Sequence, residues 1–179
     1  MNILFGVTGS VAAGLVPKMV AELLKNKHDI VIVPTKNSLY FWDKESVNIQ
    51  IYEEEHEWPG KKYEKGSDVL HINLRDWADV LLLAPLTANT LAKIANGLAD
   101  NLLTSIIRAW DVKNEIIIAP AMNTKMWEHP ATKEHLDRLN RWYKLNIIHP
   151  VSKKLACGET GVGAMAPISE IVKEINKLK

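Results

Sequence analysis

Asn123 stands in an unusual setting for a carboxamide. It lies in "PAMNTKMWEHP", residues 120–130, between Met122 and Met126 and just ahead of Trp127, directly after the apolar run "EIIIA". Strand exits ordinarily carry Gly, Asp or Ser; here a side chain with two N–H donors and one acceptor sits among methionines and a tryptophan. Two other stretches gather polar groups in the same way. "APLTANTLAKIANG" (84–97) puts Thr87, Asn89 and Thr90 at a strand-to-helix junction, where they could cap the helix or bind a polar ring edge or a phosphate. "GVTGSVAA" (6–13) turns from a strand into a helix on small residues. Exposed amides there, with Ser10 as a natural cap, suit phosphate, although a plain tight turn reads equally well. It is neither a Walker A sequence nor a Gly-x-Gly-x-x-Gly fingerprint.

His71 in "DVLHINLRDWAD" precedes an amphipathic turn. A lone histidine in an apolar setting reads either as a proton-transfer group or as a satisfied structural residue. The other histidines have no metal-ligand spacing, so no metal is expected. "KKLACGETGVGAMAP" (153–167) sets Gly158, Gly161 and Gly163 around Cys157. That pattern reads as a mobile lid with a reactive tip, or as a flexible surface loop carrying an incidental thiol. Two lysines upstream could attract an anion.

The elements that must position these groups are legible from apolar runs. Strands are predicted over 2–7, 29–35, 79–85, 115–120 and 144–150, several breaking at proline. Helices are predicted over 11–27, 88–97, 101–110, 131–143 and 168–178. Strands that are apolar without alternation must be covered on both faces. With helices between them, this predicts a doubly wound, mostly parallel α/β sheet of the Rossmann-like or flavodoxin-like kind, as one domain over 1–179. Residues 44–67 are polar and read as a surface connection with one short strand near Ile49 to Tyr52. Ligands of such sheets sit outside the carboxyl ends of the strands. "TGSVA", "PTKNS", "APLTANT" and "APAMNTKMW" all fall there.

Composition excludes other classes. A net charge of +1, with no basic cluster longer than a pair, argues against nucleic acid and anionic membranes as partners. The single cysteine excludes an internal disulfide framework and points to a reducing compartment. The start "MNILFGVTGS" lacks the charged region of a signal peptide, and no run approaches the ~20 apolar residues of a membrane span. A cytoplasmic protein is expected.

Taken together the motifs identify a family. "PAMNTKMW" matches the Pro-x-Met-Asn-x-x-Met-Trp signature of flavoproteins that decarboxylate cysteine derivatives, and "LACGETGVGAMA" resembles their substrate-recognition loop. "GSVAA", "TANT" and "LHINLRDWAD" fit in the same order and spacing. The chain resembles the phosphopantothenoylcysteine decarboxylase family from about residue 3 to residue 175. It departs at Gly14, where relatives carry a larger residue, and in the 44–67 connection, neither of which is expected to touch a functional position.

The resemblance implies bound FMN and a homotrimer with active sites at subunit interfaces. It places Gly9, Ser10, Val11, Thr35 and Ser38 near the FMN phosphate and Phe41 near the flavin. Thr87, Ala88, Asn89, Thr90 and Ala121 would hold the cofactor from the other side. His71 is implied as the catalytic histidine and Cys157 as the proton donor. Asn123 is implied as the ligand of the substrate carboxylate, with Met126, Lys154, Ala156 and Met165 also contacting substrate. On that reading the asparagine donates to a carboxylate without adding a charge, while Met122, Met126 and Trp127 exclude water. The implied activity is conversion of 4'-phospho-N-pantothenoylcysteine to 4'-phosphopantetheine in coenzyme A biosynthesis, through a thioaldehyde and an ene-thiolate. The competing readings are a peptidyl-cysteine decarboxylase, a regulatory phosphatase-inhibitor-like relative and, on the shared fold, a flavin prenyltransferase.

Overall fold

A parallel strand buried on both faces has to be apolar along its length, and the central strands of this chain meet that requirement. The computed structural model describes residues 1–58, 60, 62, 64–154, 158 and 160–178. β1 (Asn2–Val7) leads through a 3-10 turn into α1 (Val16–Lys25), then β2 (Asp29–Pro34) and the short β3 (Gln50–Ile51). α2 (Leu70–Trp77), β4 (Val80–Leu86), α3 (Ala88–Ala95), α4 (Leu102–Arg108) and β5 (Glu115–Pro120) follow. α5 (Thr124–Trp127), α6 (Pro130–Trp142), β6 (Lys144–Ile147), the pair β7 (Val151–Lys154) and β8 (Thr160–Ala164), and α7 (Ile168–Asn176) complete the order.

The main sheet runs β3-β2-β1-β4-β5-β6, with every pairing parallel. Its two faces bury separate cores. Ile3, Phe5 and Val7 of β1 meet Met19, Leu23, Ile171 and Ile175 on one face. Leu4 meets Leu81, Leu83, Leu103 and Leu139 on the other. The strand order reverses between β1 and β4, and that switch point opens the crevice where such sheets bind ligands.

Several boundaries differ from expectation for local reasons. The helix predicted over 11–27 begins as a 3-10 turn at Val11–Leu15, and Pro17 sits in the first turn of α1, where a missing N–H costs nothing. β4 does not stop at proline; it runs through Pro85 to Leu86, and the pairing with β5 shifts register between Leu83 and Leu86. The amphipathic turn after His71 is a full helix, α2, with His71 inside it. The expected glycine-rich loop has two strand arms, β7 and β8, paired antiparallel. No helix among the described residues is long and apolar enough to cross a membrane.

Candidate active site

The exits of β1, β2, β4 and β5 enclose a cavity of about 520 Å3 at the switch point. Gly9 and Ser10 line it from β1, Thr35 from β2, Thr87, Ala88, Asn89 and Thr90 from β4, and Ala121 from β5. These are cofactor residues expected from sequence, brought into one wall. Met122 and Met126 add the apolar side, while Lys36, Asn37, Lys93 and Asn101 add polar groups that sequence reasoning had not assigned.

Close backbone approach explains the glycine. A Cβ on Gly9 would stand 2.8 Å from Asn37 Cβ and 3.1 Å from the Asn37 carbonyl carbon. The β2 exit therefore presses against the β1 turn, and a larger residue would part them. Beside it, Thr8 is fully buried and ties the two sides of the crevice. Its hydroxyl donates to the Pro85 carbonyl at 2.8 Å and accepts from the Thr87 N–H at 2.9 Å. Thr87 in turn caps α3, its Oγ1 accepting from the Thr90 N–H at 3.4 Å. Thr8 was missed because a threonine inside "GVTGS" carries no distinctive spacing.

Asn123 caps the short helix α5. Its Oδ1 accepts from the Lys125 N–H at 2.8 Å, so the end of the carboxamide facing the helix is the oxygen. The β7–β8 hairpin is pinned against this segment. The Met122 N–H donates to the Gly163 carbonyl at 2.9 Å. A Cβ on Gly163, whose φ is +150°, would lie 2.2 Å from the Met122 carbonyl oxygen, so only glycine fits. Lys154 ends β7, and Met165 follows β8 and is buried. Ala156 and Cys157, which join the two arms, lie outside the described residues.

Not every expected residue lines the cavity. Asn123 lies between two that do. Ser38 is buried, with its hydroxyl donated to the Thr35 carbonyl at 2.7 Å, closing the turn below Thr35. Phe41 packs edge-on against Tyr40 in a neighbouring hollow. Val11, Tyr40 and Met126 leave 62%, 87% and 48% of their surface exposed, and of these Met126 lines the cavity.

His71 sits in the first turn of α2. That helix returns antiparallel to β4, so it begins at the edge where the strands end, yet His71 does not line the cavity. Its Nδ1 lies 2.5 Å from Glu57 Oε1. The glutamate side chain is 3% exposed and the histidine 23%. Three residues earlier, Glu54 does line the cavity and accepts from the Leu102 N–H at 2.6 Å. The connection expected to touch nothing functional thus reaches both the cavity and the histidine. Sequence reasoning missed it because its charges look like an ordinary solvated surface.

The donor set suits a polar, phosphorylated ring cofactor: backbone amides at a Gly-Ser turn, hydroxyls, a carboxamide and an apolar far wall. A larger groove of about 760 Å3 between α1 and α7 brings none of the expected residues together.

Comparison with known proteins agrees in extent. The family model described as Flavoprotein matches residues 1–179. Phosphopantothenoylcysteine decarboxylase of Mus musculus is 45% identical over 176 residues, covering 97% of this chain and 85% of that one. Among solved structures, a cysteine-to-serine mutant of PPC decarboxylase complexed with pantothenoylaminoethenethiol aligns at a TM-score of 0.93 and 45% identity, covering 99% of this chain and 97% of that chain. The FMN binding protein AtHal3 aligns at 0.90 and 45% identity, covering 99% and 95%.

Proposed function

We propose, because the chain belongs to the flavoprotein family, that it binds FMN and decarboxylates 4'-phospho-N-pantothenoylcysteine to 4'-phosphopantetheine, a step of coenzyme A biosynthesis. The observation that carries this reading is the convergence of Gly9, Ser10, Thr35, Thr87, Asn89, Thr90 and Ala121 on one switch-point cavity, with Asn123 beside it. The mouse relative and the two solved structures described above bear the decarboxylase name or an FMN-binding one.

Loss of CO2 from a saturated cysteine amide would leave an unstabilised carbanion. FMN, when bound, would supply the sink by taking two electrons, as a hydride, from the C–S end of the substrate while the thiol proton leaves to a base, and by returning that hydride later. Gly9 and Ser10 amides would hold the phosphate, and the Thr87–Thr90 turn the opposite side. The NH2 end of Asn123 would donate to the substrate carboxylate, whose ground state it does not over-stabilise because it brings no charge. Met122, Met126 and Trp127 would keep water from that carboxylate. At the thioaldehyde level the carboxylate is β to C=S, so CO2 departs to give an ene-thiolate. His71 would move the proton of the oxidative half, and Cys157 would protonate the ene-thiolate carbon, a thiol being the stronger acid than a hydroxyl by several pK units.

The active sites would form between chains of a homotrimer in the cytoplasm. Two features support the assembly: His71 stands outside the cavity of its own chain, and the large apolar side chains of Val11, Tyr40 and Met126 are left exposed.

The test is anaerobic incubation of the purified protein with phosphopantothenoylcysteine or a cysteine-terminated peptide, with CO2 and thiol products identified by mass. FMN, released and weighed, should accompany the protein. The phosphopantothenoyl substrate should give saturated phosphopantetheine, and Cys157→Ser should stop at the unsaturated thiol. The ligand of the serine mutant among the relatives bears an ethenethiol name, in keeping with that stall. Turnover of the peptide alone would replace this substrate assignment, and absence of CO2 from both would point to a regulatory relative.

A further inference from the structure

We infer that Glu57 is the positioning residue of His71: its carboxylate holds the neutral imidazole as the Nδ1–H tautomer and leaves Nε2 to exchange the proton. The inference rests on the proposed catalytic role of His71.

A carboxylate has only acceptors, so the 2.5 Å contact between His71 Nδ1 and Glu57 Oε1 requires the hydrogen on Nδ1. In the neutral ring the lone pair then lies on Nε2, which no described residue engages. The carboxylate also stands ready to stabilise the imidazolium formed when Nε2 takes a proton, as the orienting carboxylate of a catalytic triad does.

The surroundings point to orientation rather than to stability. Glu57 is almost wholly buried, and its second oxygen, Oε2, has no hydrogen-bond partner among the described residues. Burying a carboxylate with half its capacity unused is costly, and an apolar side chain would serve packing better. The turn that delivers it is itself anchored. Glu54 is fastened to the Leu102 N–H, Glu53 and His56 form a reciprocal cap, and Tyr52 meets the His56 ring edge-on. Glu57 is therefore presented to His71 from a fixed frame.

Nitrogen-15 NMR of the FMN-loaded full chain, at a pH where the ring is neutral, reads the tautomer directly, with His71→Asn identifying the signal. A proton on Nδ1 is expected; a proton on Nε2 overturns the inference, and this measurement needs no variant at position 57. The kinetic arm uses Glu57→Gln, whose amide NH2 can donate to Nδ1 and reverse the tautomer. Substrate-driven bleaching of the flavin should slow by at least ~100-fold while substrate affinity stays within a few-fold. Combined with His71→Asn, the same change should add nothing further. If Glu57→Gln bleaches at the parental rate while His71→Asn does not, Glu57 is only a tie between the connection and α2, and the catalytic reading of His71 survives. If His71→Asn itself keeps the parental rate, the histidine assignment fails and the positioning role falls with it.

Discussion

The cavity at the strand ends and the Glu57–His71 pair are built by different means. The cavity is a product of topology: parallel strands end on one edge, the order reverses between β1 and β4, and loops from four exits face one another. The hydroxyl residues Ser10, Thr35, Thr87 and Thr90 line it together with amide and charged side chains gathered from the same exits and from the nearby connections. The pair instead depends on two side chains meeting from distant parts of the chain, one on a polar connection and one on α2. A scaffold edge can hold a ligand with little side-chain precision. Moving a proton needs a defined tautomer, which needs a specific partner.

The sharpest way to break the comparison is to ask whether the two regions of one chain serve the same reaction centre. His71→Asn should slow flavin bleaching by about 10²–10⁴-fold, and Asn123→Asp should abolish turnover in its own way. If each centre takes its cavity from one chain and its histidine from the next, mixed oligomers of the two inactive variants regain activity. In a trimer that contains both variants one of the three centres pairs an intact cavity with an intact histidine, so roughly a third of the parental rate is expected. Co-expression with two tags, purification through both and assay measures this. No recovery would place His71 with its own cavity.

Asn123→Asp on its own probes the substrate side. Two carboxylates at contact distance repel by about 4 kcal/mol at an effective dielectric of 20, and less where water enters, so a 10²- to 10³-fold loss of substrate affinity is expected. FMN binding should hold, because Asn123 lies outside the cavity lining. Substrate affinity near the parental value would remove the asparagine from the carboxylate.

The difference between the regions also decides what could be read from sequence. Continuous apolar runs such as "VLLLAP" and "EIIIAP" declared buried parallel strands, and the topology then located the cavity without any side-chain detail. Gly9, Thr87 and Asn123 were legible because turns and caps select their residue types locally. Glu57 was not. It is one of several acidic residues in "YEEEHEW", and its burial follows from a contact with His71, 14 residues away, that no local rule encodes. The hairpin arms β7 and β8 were hidden for a related reason: glycines suggested a loose loop, whereas Gly163 is there to let the strand close on Met122.

Thr8 marks where scaffold and cavity merge, and Thr8→Val keeps its shape while deleting its hydrogen bonds. The Thr87 N–H loses its acceptor in a partly buried place, which costs about 1 kcal/mol, toward the low end of the range for an unsatisfied donor. Urea unfolding should show that loss in the midpoint with an unchanged slope. FMN affinity should fall in parallel, because the same bond sets the entry of the Thr87–Thr90 turn. Reduced stability with unchanged FMN affinity would separate the junction from the cofactor.

The smallest effect belongs to the second ion pair of the region, Lys93 with Asp100 at the cavity mouth. It contrasts with Glu57–His71 because both partners remain in water, at 26% and 47% side-chain exposure. The hydrogen bond from Lys93 holds the Asp100 carboxyl below its ordinary range. A carboxyl depressed in the folded state stabilises the fold above its unfolded pKa of ~3.9, and that contribution disappears as pH falls through the lower folded value. Asp100→Asn should therefore cost about 0.2–1 kcal/mol near neutral pH, and less in high salt. The parent and the variant should converge in acid, on chemical-denaturation curves taken from neutral pH down to the onset of acid unfolding. A difference that persists at the acid end, or in strong salt, would mean Asp100 acts through its other bonds, to Asn101 and Thr104 at the start of α4, and not through its charge.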